Sequence, residues 1–351
     1  MISVEPFASR WKRRAQTIPV MLALTLAGVV GLPLIVAGAV AADVVRFRFR
    51  LPTVRVALFL IQYGLNDSTE ILLAPVFWVL GGAGTRLNQP SSVRRHERLQ
   101  AWSVAVLARR AERLLGLRLD LQAGAIDALE PGPVIVLCRH VNIVDSSLPT
   151  LLYQRLGYRT RGVIMAELLA DPGFDLIYGR TGSVFIPRDN GPEAQALISH
   201  IGHDADHATA VVIFPEGRLF RPDVLKRSLA RLLDTDPERA SRLAELRHLL
   251  PPRPGGFLAL LDALPQADVV VVAHAGLDRY PTFKSLAAGV PLPQPIQVTA
   301  WRIPAADIPA GPAERTAWLD HQWLLVDDWV AEHTALDQLP PGLAVIAPDA
   351  P

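Results

Sequence analysis

Cysteine is almost absent: Cys138 is the only one in 351 residues, which excludes an internal disulfide and is neutral about compartment. No C-x-x-C or H-E-x-x-H spacing occurs and the nine histidines are scattered, so no metal site is expected. A surplus of charge of either sign is missing too. Thirty-five Lys and Arg against 34 Asp and Glu leave a net charge of +1, and a nucleic-acid partner has no global electrostatic support. No internal repeat is evident. The last absence is local, because no charged residue occurs from Pro19 to Ala42.

A helix over that charge-free run would reach roughly 36 Å at 1.5 Å per residue, enough for the ~30 Å hydrocarbon layer, so residues 1–85 are expected to anchor the chain to a membrane. A second apolar stretch, Val54 to Gly84, is interrupted by Asn66-Asp-Ser-Thr-Glu70 and reads as an interfacial helix plus a shorter insert. Arg10, Lys12, Arg13 and Arg14 precede the first run, and Arg46, Arg48, Arg50 and Arg55 follow it. That symmetry suits a re-entrant or monotopic hairpin with both clusters at one anionic leaflet. A cleaved secretory signal is the rival, since Ala39-Val-Ala41 resembles an A-x-A site, but the run exceeds the usual apolar core of about 7–15 residues. Within residues 86–117, Arg94 to Leu115 reads as a basic amphipathic helix along the membrane surface. Trp102, Val106 and Leu114 would lie on its less charged side, and Gly116 would stop it.

From Leu117 onward, short apolar runs alternate with helical patterns. Leu117–Leu121, Val134–Cys138, Arg161–Met165, Ser183–Ile186, Ala210–Phe214, Val269–Ala273 and Ile296–Trp301 read as strands, and one helix opens near Pro192-Glu193. The expected class is α/β: a mixed sheet flanked by helices behind an N-terminal hydrophobic region.

Three of these strand ends carry polar residues suited to chemistry. His140-Val-Asn-Ile-Val-Asp145 follows the second run, where a strand feeds a helix start and open α/β sheets place their ligands. A neutral imidazole accepts a proton at neutral pH, and a carboxylate fixes its tautomer and stabilises the imidazolium. Alone, His140 would be a structural histidine and Asp145 a helix cap. Gly182-Ser-Val-Phe-Ile-Pro-Arg188 ends in an arginine whose planar fork suits phosphate oxygens, or which pairs with Asp189 at the surface. Phe214-Pro-Glu-Gly217 would otherwise be an ordinary turn, with Gly217 permitting close approach of a ligand. Cys138 lies two residues before His140, so a histidine-activated thiol is one alternative and a small buried residue the other.

These three blocks, in this order, resemble the H-x4-D, G-x-x-F-I-x-R and F-P-E-G marks of the glycerolipid acyltransferase family, over about residues 118–305. The resemblance implies a membrane-associated O-acyltransferase with no cofactor. It would move an acyl group from acyl-CoA or acyl carrier protein to a lysophospholipid, 1-acyl-sn-glycerol-3-phosphate above all. It makes His140 the base and Asp145 its orienter. Gly182, Phe185, Ile186, Arg188, Glu216, Gly217 and Arg218 become substrate-binding, and the catalytic domain would face the cytoplasm. The chain departs from the pattern in three places. Arg218 follows Gly217 without an intervening Thr or Ser, Met165-Ala166 stands where relatives often carry lysine, and Asp268–His274 lacks a proline. Pro252-Arg-Pro-Gly-Gly-Phe257 is similar to a P-R-x-x-G-F element of the lysocardiolipin branch.

The domain over residues 118–310 would include a charged helical insert at about 221–250, where Lys226 and Arg227 either cap the acceptor site or belong to a solvated helical pair. A C-terminal helix is expected within 311–335, from Pro312 to about His333, with Trp318, Leu325 and Trp329 near one core-packed face. Residues 336–351 form a Pro/Ala-containing tail expected to be disordered. The competing functions are a lipid hydrolase or thioesterase and a lipid-binding membrane protein without catalysis.

Overall fold

The computed structural model describes residues 5–125, 132–187, 191–202 and 205–334; the tail expected at 336–351 lies outside them. The chain forms two compact units: Met1–Leu117 with Arg159–Leu197 and Ala287–Pro293, and Arg118–Tyr158 with Ile198–Leu286 and Gln294–Pro351.

The first unit is mainly helical. Helix α1 (Phe7–Val30) and helix α2 (Leu32–Val45) meet at Gly31 with a bend of 71°. The expected straight 36 Å helix is therefore not formed. Pro33 lacks the N–H that would continue the ladder, and its ring crowds the preceding turn. Among the described residues no single helix is long and apolar enough to cross a membrane, although the bent pair together has the length and composition.

The expectation of two pieces over Val54 to Gly84 is also corrected, because helix α3 (Pro52–Leu80) is continuous. Its polar middle is largely buried, and Asn66 Nδ2 donates to Ser103 Oγ at 2.7 Å and to Ser103 O at 3.1 Å. Gly64 lets α1 approach closely, since a Cβ there would stand 2.6 Å from Thr25 Oγ1. Helix α4 (Pro90–Arg110) continues as a π-turn over Ala111–Leu115, and Gly116 ends it in the left-handed region at φ +70°. Its buried face carries His96, Leu99, Ser103 and Val104, while Trp102 is exposed.

The second unit holds a five-stranded sheet. Strands β1 (Leu119–Leu121) and β2 (Val134–Cys138) are followed in the chain by helix α5 (Leu148–Arg155). Strand β3 (Arg159–Met165), helix α6 (Pro172–Leu176) and strand β4 (Val184–Ile186) belong to the helical unit, where β3 and β4 pair in parallel with Val163 opposite Val184. Helix α7 (Gly191–Ser199) precedes β5 (Thr209–Ile213), followed by α8 (Pro222–Thr235), α9 (Pro237–Arg242), α10 (Pro254–Ala263) and β6 (Asp268–Ala275). Helix α11 (Phe283–Gly289), β7 (Ile296–Ile303) and α12 (Pro312–His333) complete the order.

In the sheet unit the order is β1-β7-β6-β2-β5, parallel except for the antiparallel β6–β7 pair. Central β2 pairs Val134 with Ala210 on one side and Asp268 on the other. All five of its residues are buried, as a strand covered on both faces requires.

Helix α12 has the expected bounds but packs through a different face. Leu319, Trp323, Val326 and Val330 are the fully buried positions, and Leu325 is 43% exposed. Trp318 instead stacks on Phe257 with centroids 5.6 Å apart. The insert is a helical pair, α8 and α9, on which Lys226 and Arg227 are exposed. Arg227 there pairs with Asp223 at 2.6 Å in a solvated i,i+4 contact.

Candidate active site

Strand β2 ends at Cys138, and the chain turns at once into a 3₁₀ segment, Ile143–Ser147, which brings His140 and Asp145 together. His140 Nδ1 and Asp145 Oδ1 are 2.5 Å apart. The other carboxylate oxygen, Oδ2, accepts from the backbone N–H of Val141 at 2.6 Å and of Asn142 at 2.7 Å. Asn142 Oδ1 accepts in return from Val144 N at 3.1 Å, so the N-terminus of the segment is closed by a reciprocal capping box. Asp145 thus caps the turn through Oδ2 and contacts the His140 ring through Oδ1, an arrangement compatible with both readings of this residue. An acceptor-only carboxylate requires Nδ1–H to be the donor, which leaves Nε2 with a free lone pair. The ring is 20% exposed while Asp145 is fully buried. Burial pulls the imidazole pKa down, but the hydrogen bond and charge of Asp145 outweigh it and hold His140 above its ordinary value.

Glu216 sits behind the histidine rather than in front of it. Its Oε1 accepts from His140 N at 2.8 Å and its Oε2 from Leu250 N at 2.9 Å. Burial pushes this carboxyl up to about 7 against those two donors and Arg139. The turn that delivers it closes with Gly217 N donating to Phe214 O at 3.0 Å. Gly217 has φ +65°, which favours glycine, and a Cβ would also stand 3.2 Å from Arg253 Cδ. Phe214 lies against the His140 ring with centroids 4.6 Å apart. Arg218 is exposed.

A buried layer that sequence reasoning missed supports these residues. Arg139, fully buried, donates Nη2 to Asp278 Oδ1 at 2.7 Å and to His248 O at 3.0 Å, and Nη1 to His274 O at 2.7 Å. Burial would raise the Asp278 carboxyl, but Arg139 outweighs it and holds it below the usual range. His274, which the sequence suggests only as part of a packing strand, brings Nε2 within 3.3 Å of Arg139 O and 3.6 Å of Asp145 Oδ2. Burial lowers its pKa to about 4, so it stands neutral beside the pair. The only local signal was a charged residue, Arg139, continuing an apolar strand. The thiol of Cys138 is fully buried and pushed well up by burial, which gives a thiol nucleophile no support.

His140, Asp145, Glu216, Gly217 and Arg218 belong to the sheet unit, with the first three in direct contact through hydrogen bonds. Gly182, Phe185 and Ile186 belong to the helical unit. Phe185 and Ile186 lie on β4, and Gly182 has φ +88° with Arg161 Nε 2.8 Å from where a Cβ would be. Arg188 lies outside the described residues.

Residues 122–275 match a family model described as Acyltransferase. Among solved structures, the chain is similar to the crystal structure of a 1-acyl-sn-glycerophosphate acyltransferase, PlsC, from Thermotoga maritima. The TM-score is 0.47 and the identity 15%, over 78% of this chain and 98% of that one. No curated protein matches the chain.

Proposed function

We propose that the chain is a membrane-associated O-acyltransferase acting on a lysophospholipid, a reading supported by the match of residues 122–275 to a family model described as Acyltransferase. The reading rests above all on the His140–Asp145 pair, whose Nε2 is left as acceptor on a ring 20% exposed. His140 Nε2 takes the proton of an acceptor hydroxyl as its oxygen attacks the carbonyl of an acyl thioester. The new ester bond forms, the C–S bond breaks, and the thiolate leaves with the proton returned from the imidazolium. Asp145 orients the ring and offsets its charge. Glu216 fixes the backbone at His140. The acceptor is 1-acyl-sn-glycerol-3-phosphate and the product phosphatidate, with Arg188 and Arg218 as phosphate contacts. The donor is acyl-CoA or acyl carrier protein, which places the domain on the cytoplasmic side.

The membrane part of the reading is supported by unpartnered apolar surface on the first two helices. Leu24, Leu26, Val30 and Leu34 are 65–80% exposed. The loop Arg46-Phe-Arg-Phe-Arg50 that follows is exposed throughout, alternating cations with aromatics as an anionic leaflet favours. A bent α1–α2 pair lying in one leaflet suits this arrangement.

The test is purified protein in detergent with a panel of labelled lysolipids and acyl thioesters, alongside His140→Ala. Transfer to 1-acylglycerol-3-phosphate that disappears in folded His140→Ala is the expected result. Full activity of that variant overturns the mechanism, and release of free acid alone would instead identify a hydrolase.

A further inference from the structure

The segment 247–253 contacts Arg139 and Glu216 beside the His140–Asp145 pair, and helix α12 holds it at two points. Asp327 of α12 accepts from Arg247 N at 3.1 Å and from His248 N at 2.6 Å. Asp320, two turns earlier, accepts from Arg239 Nε at 2.9 Å and Nη2 at 2.7 Å, and Arg239 Nη2 also donates to Pro252 O at 2.5 Å. Both aspartates are only 1% exposed.

The segment passes this placement on through three contacts. His248 O accepts from Arg139 at 3.0 Å, Leu250 N donates to Glu216 Oε2 at 2.9 Å, and Arg253 N donates to Pro215 O at 2.8 Å. Glu216 then grips His140 N, while Arg139 is the preceding residue in the chain. A shift of the segment would therefore act on the base from both sides. The core-packing task of α12 is already met by Leu319, Trp323, Val326 and Val330, each fully buried. A buried carboxylate is costly without matched donors, and the donors here come from this segment, from the arginine that ties it down and, at 3.4 Å, from Arg242 Nη2 on Asp320.

We propose that Asp327 and Asp320 are positioning residues for His140, which makes α12, beyond the matched residues 122–275, part of the catalytic machinery. The proposal rests on the reading of His140 as the base, and its test separates the two.

The test compares Asp327→Ala, Asp327→Asn and Val330→Ala in the full chain, reading kcat, KM and Tm. In parallel, the His140 titration is followed by NMR in protein labelled at histidine, with the resonance assigned by its loss in His140→Gln. Asp327→Ala is expected to lower kcat about 10- to 100-fold with KM within about twofold. The His140 titration should move down toward its ordinary value as Asp145 loses its alignment. Asp327→Asn, which keeps an acceptor oxygen, should recover part of that loss. Val330→Ala, a cavity in the same helix, should lower Tm without moving the titration.

An unchanged kcat in folded Asp327→Ala overturns the proposal. So does Val330→Ala reproducing the kcat loss at equal Tm, or Asn shifting the titration as far as Ala, which would make the effect one of charge alone. If Asp327→Ala does not fold, the double variant Asp320→Asn with Asp327→Asn replaces it, with a loss in kcat of about fivefold expected and no loss overturning the idea. An active His140→Ala would remove the base reading, while the NMR titration would still decide whether α12 governs the ring.

Discussion

The two units each bury a knot of acidic side chains, and they answer it in opposite ways. In the sheet unit, Asp145 and Asp278 meet backbone N–H groups, an imidazole N–H and the Arg139 guanidinium. In the helical unit, Asp67 and Glu70 of α3 turn toward Asp171, and a Cβ on Gly173 would stand 2.7 Å from Asp67 Oδ1 and 3.3 Å from Asp171 Oδ1. The Tyr63 hydroxyl and the N–H groups of Gly173 and Phe174 go to Asp171, and Asp67 Oδ2 has no partner. The arginines nearby, Arg13 and Arg14, are taken by Asp175. Burial consequently pushes Asp67 up to about 9 and Glu70 to about 7. Glu216, fully buried with two backbone donors, is pushed to about 7 as well. Burial pushes Glu70, Glu216 and Asp278 up alike, and the supply of donors decides how much of that push is offset.

The largest expected effect comes from removing the charge where it is kept. Asp145→Asn should lower turnover by about 10²–10⁴-fold, since the amide can neither fix the tautomer nor offset the imidazolium. Steady-state kinetics on folded protein checks this, and wild-type turnover would break the comparison. Next, kcat/KM should fall about tenfold per pH unit below the His140 pKa. Because Asp145 raises that pKa above 6.5, the midpoint should lie above 6.5, whereas a flat profile from about pH 5.5 to 8.5 would remove the base.

A smaller effect concerns the proton-holding knot. Folded Asp67 and Glu70 keep protons that the unfolded chain releases above about pH 4, so the stability they contribute is full below that pH. It is lost as pH rises toward about 7 for Glu70 and about 9 for Asp67. Asp67→Asn should therefore stabilise the chain at pH 8 by roughly 1–3 kcal/mol and flatten this dependence, as read from denaturation at pH 5 and pH 8. The smallest effect is expected from Cys138→Ala, which should keep most activity. Its complete loss in a folded variant would bring the thiol back into the mechanism.

Much of the sheet was legible because buried strands are short continuous apolar runs, and β2 over Val134–Cys138 is bounded where its run is. The pairing of His140 with Asp145 was equally local. Other features depend on partners that no window of sequence contains. In the uniformly apolar stretch Pro19 to Ala42 periodicity gives no warning of the break at Gly31, although Pro33 was a signal that could have been weighed. The polar run Asn66–Glu70 looked like an interruption because its partners lie on α4 and near α6. Arg139 reaches across 109 residues to His248 and 139 to Asp278, so its role could not be inferred from its neighbours. On α12 the true face is one residue round from the expected one, since Trp318 and Trp329 border the buried stripe that Trp323 belongs to.

The split use of Asp145 has a consequence for how the protein comes apart. Its contacts to His140, Val141 and Asn142 span three to five residues, so this ring of chain closes with little loss of loop entropy. The grip of Glu216 on His140 spans 76 residues and needs the assembled sheet. The His140–Asp145 pair can thus persist in a loosened chain from which its placement has gone. Mild denaturant should extinguish turnover while the histidine still titrates as a paired imidazole, and activity would then report on the remote strap sooner than on the pair itself.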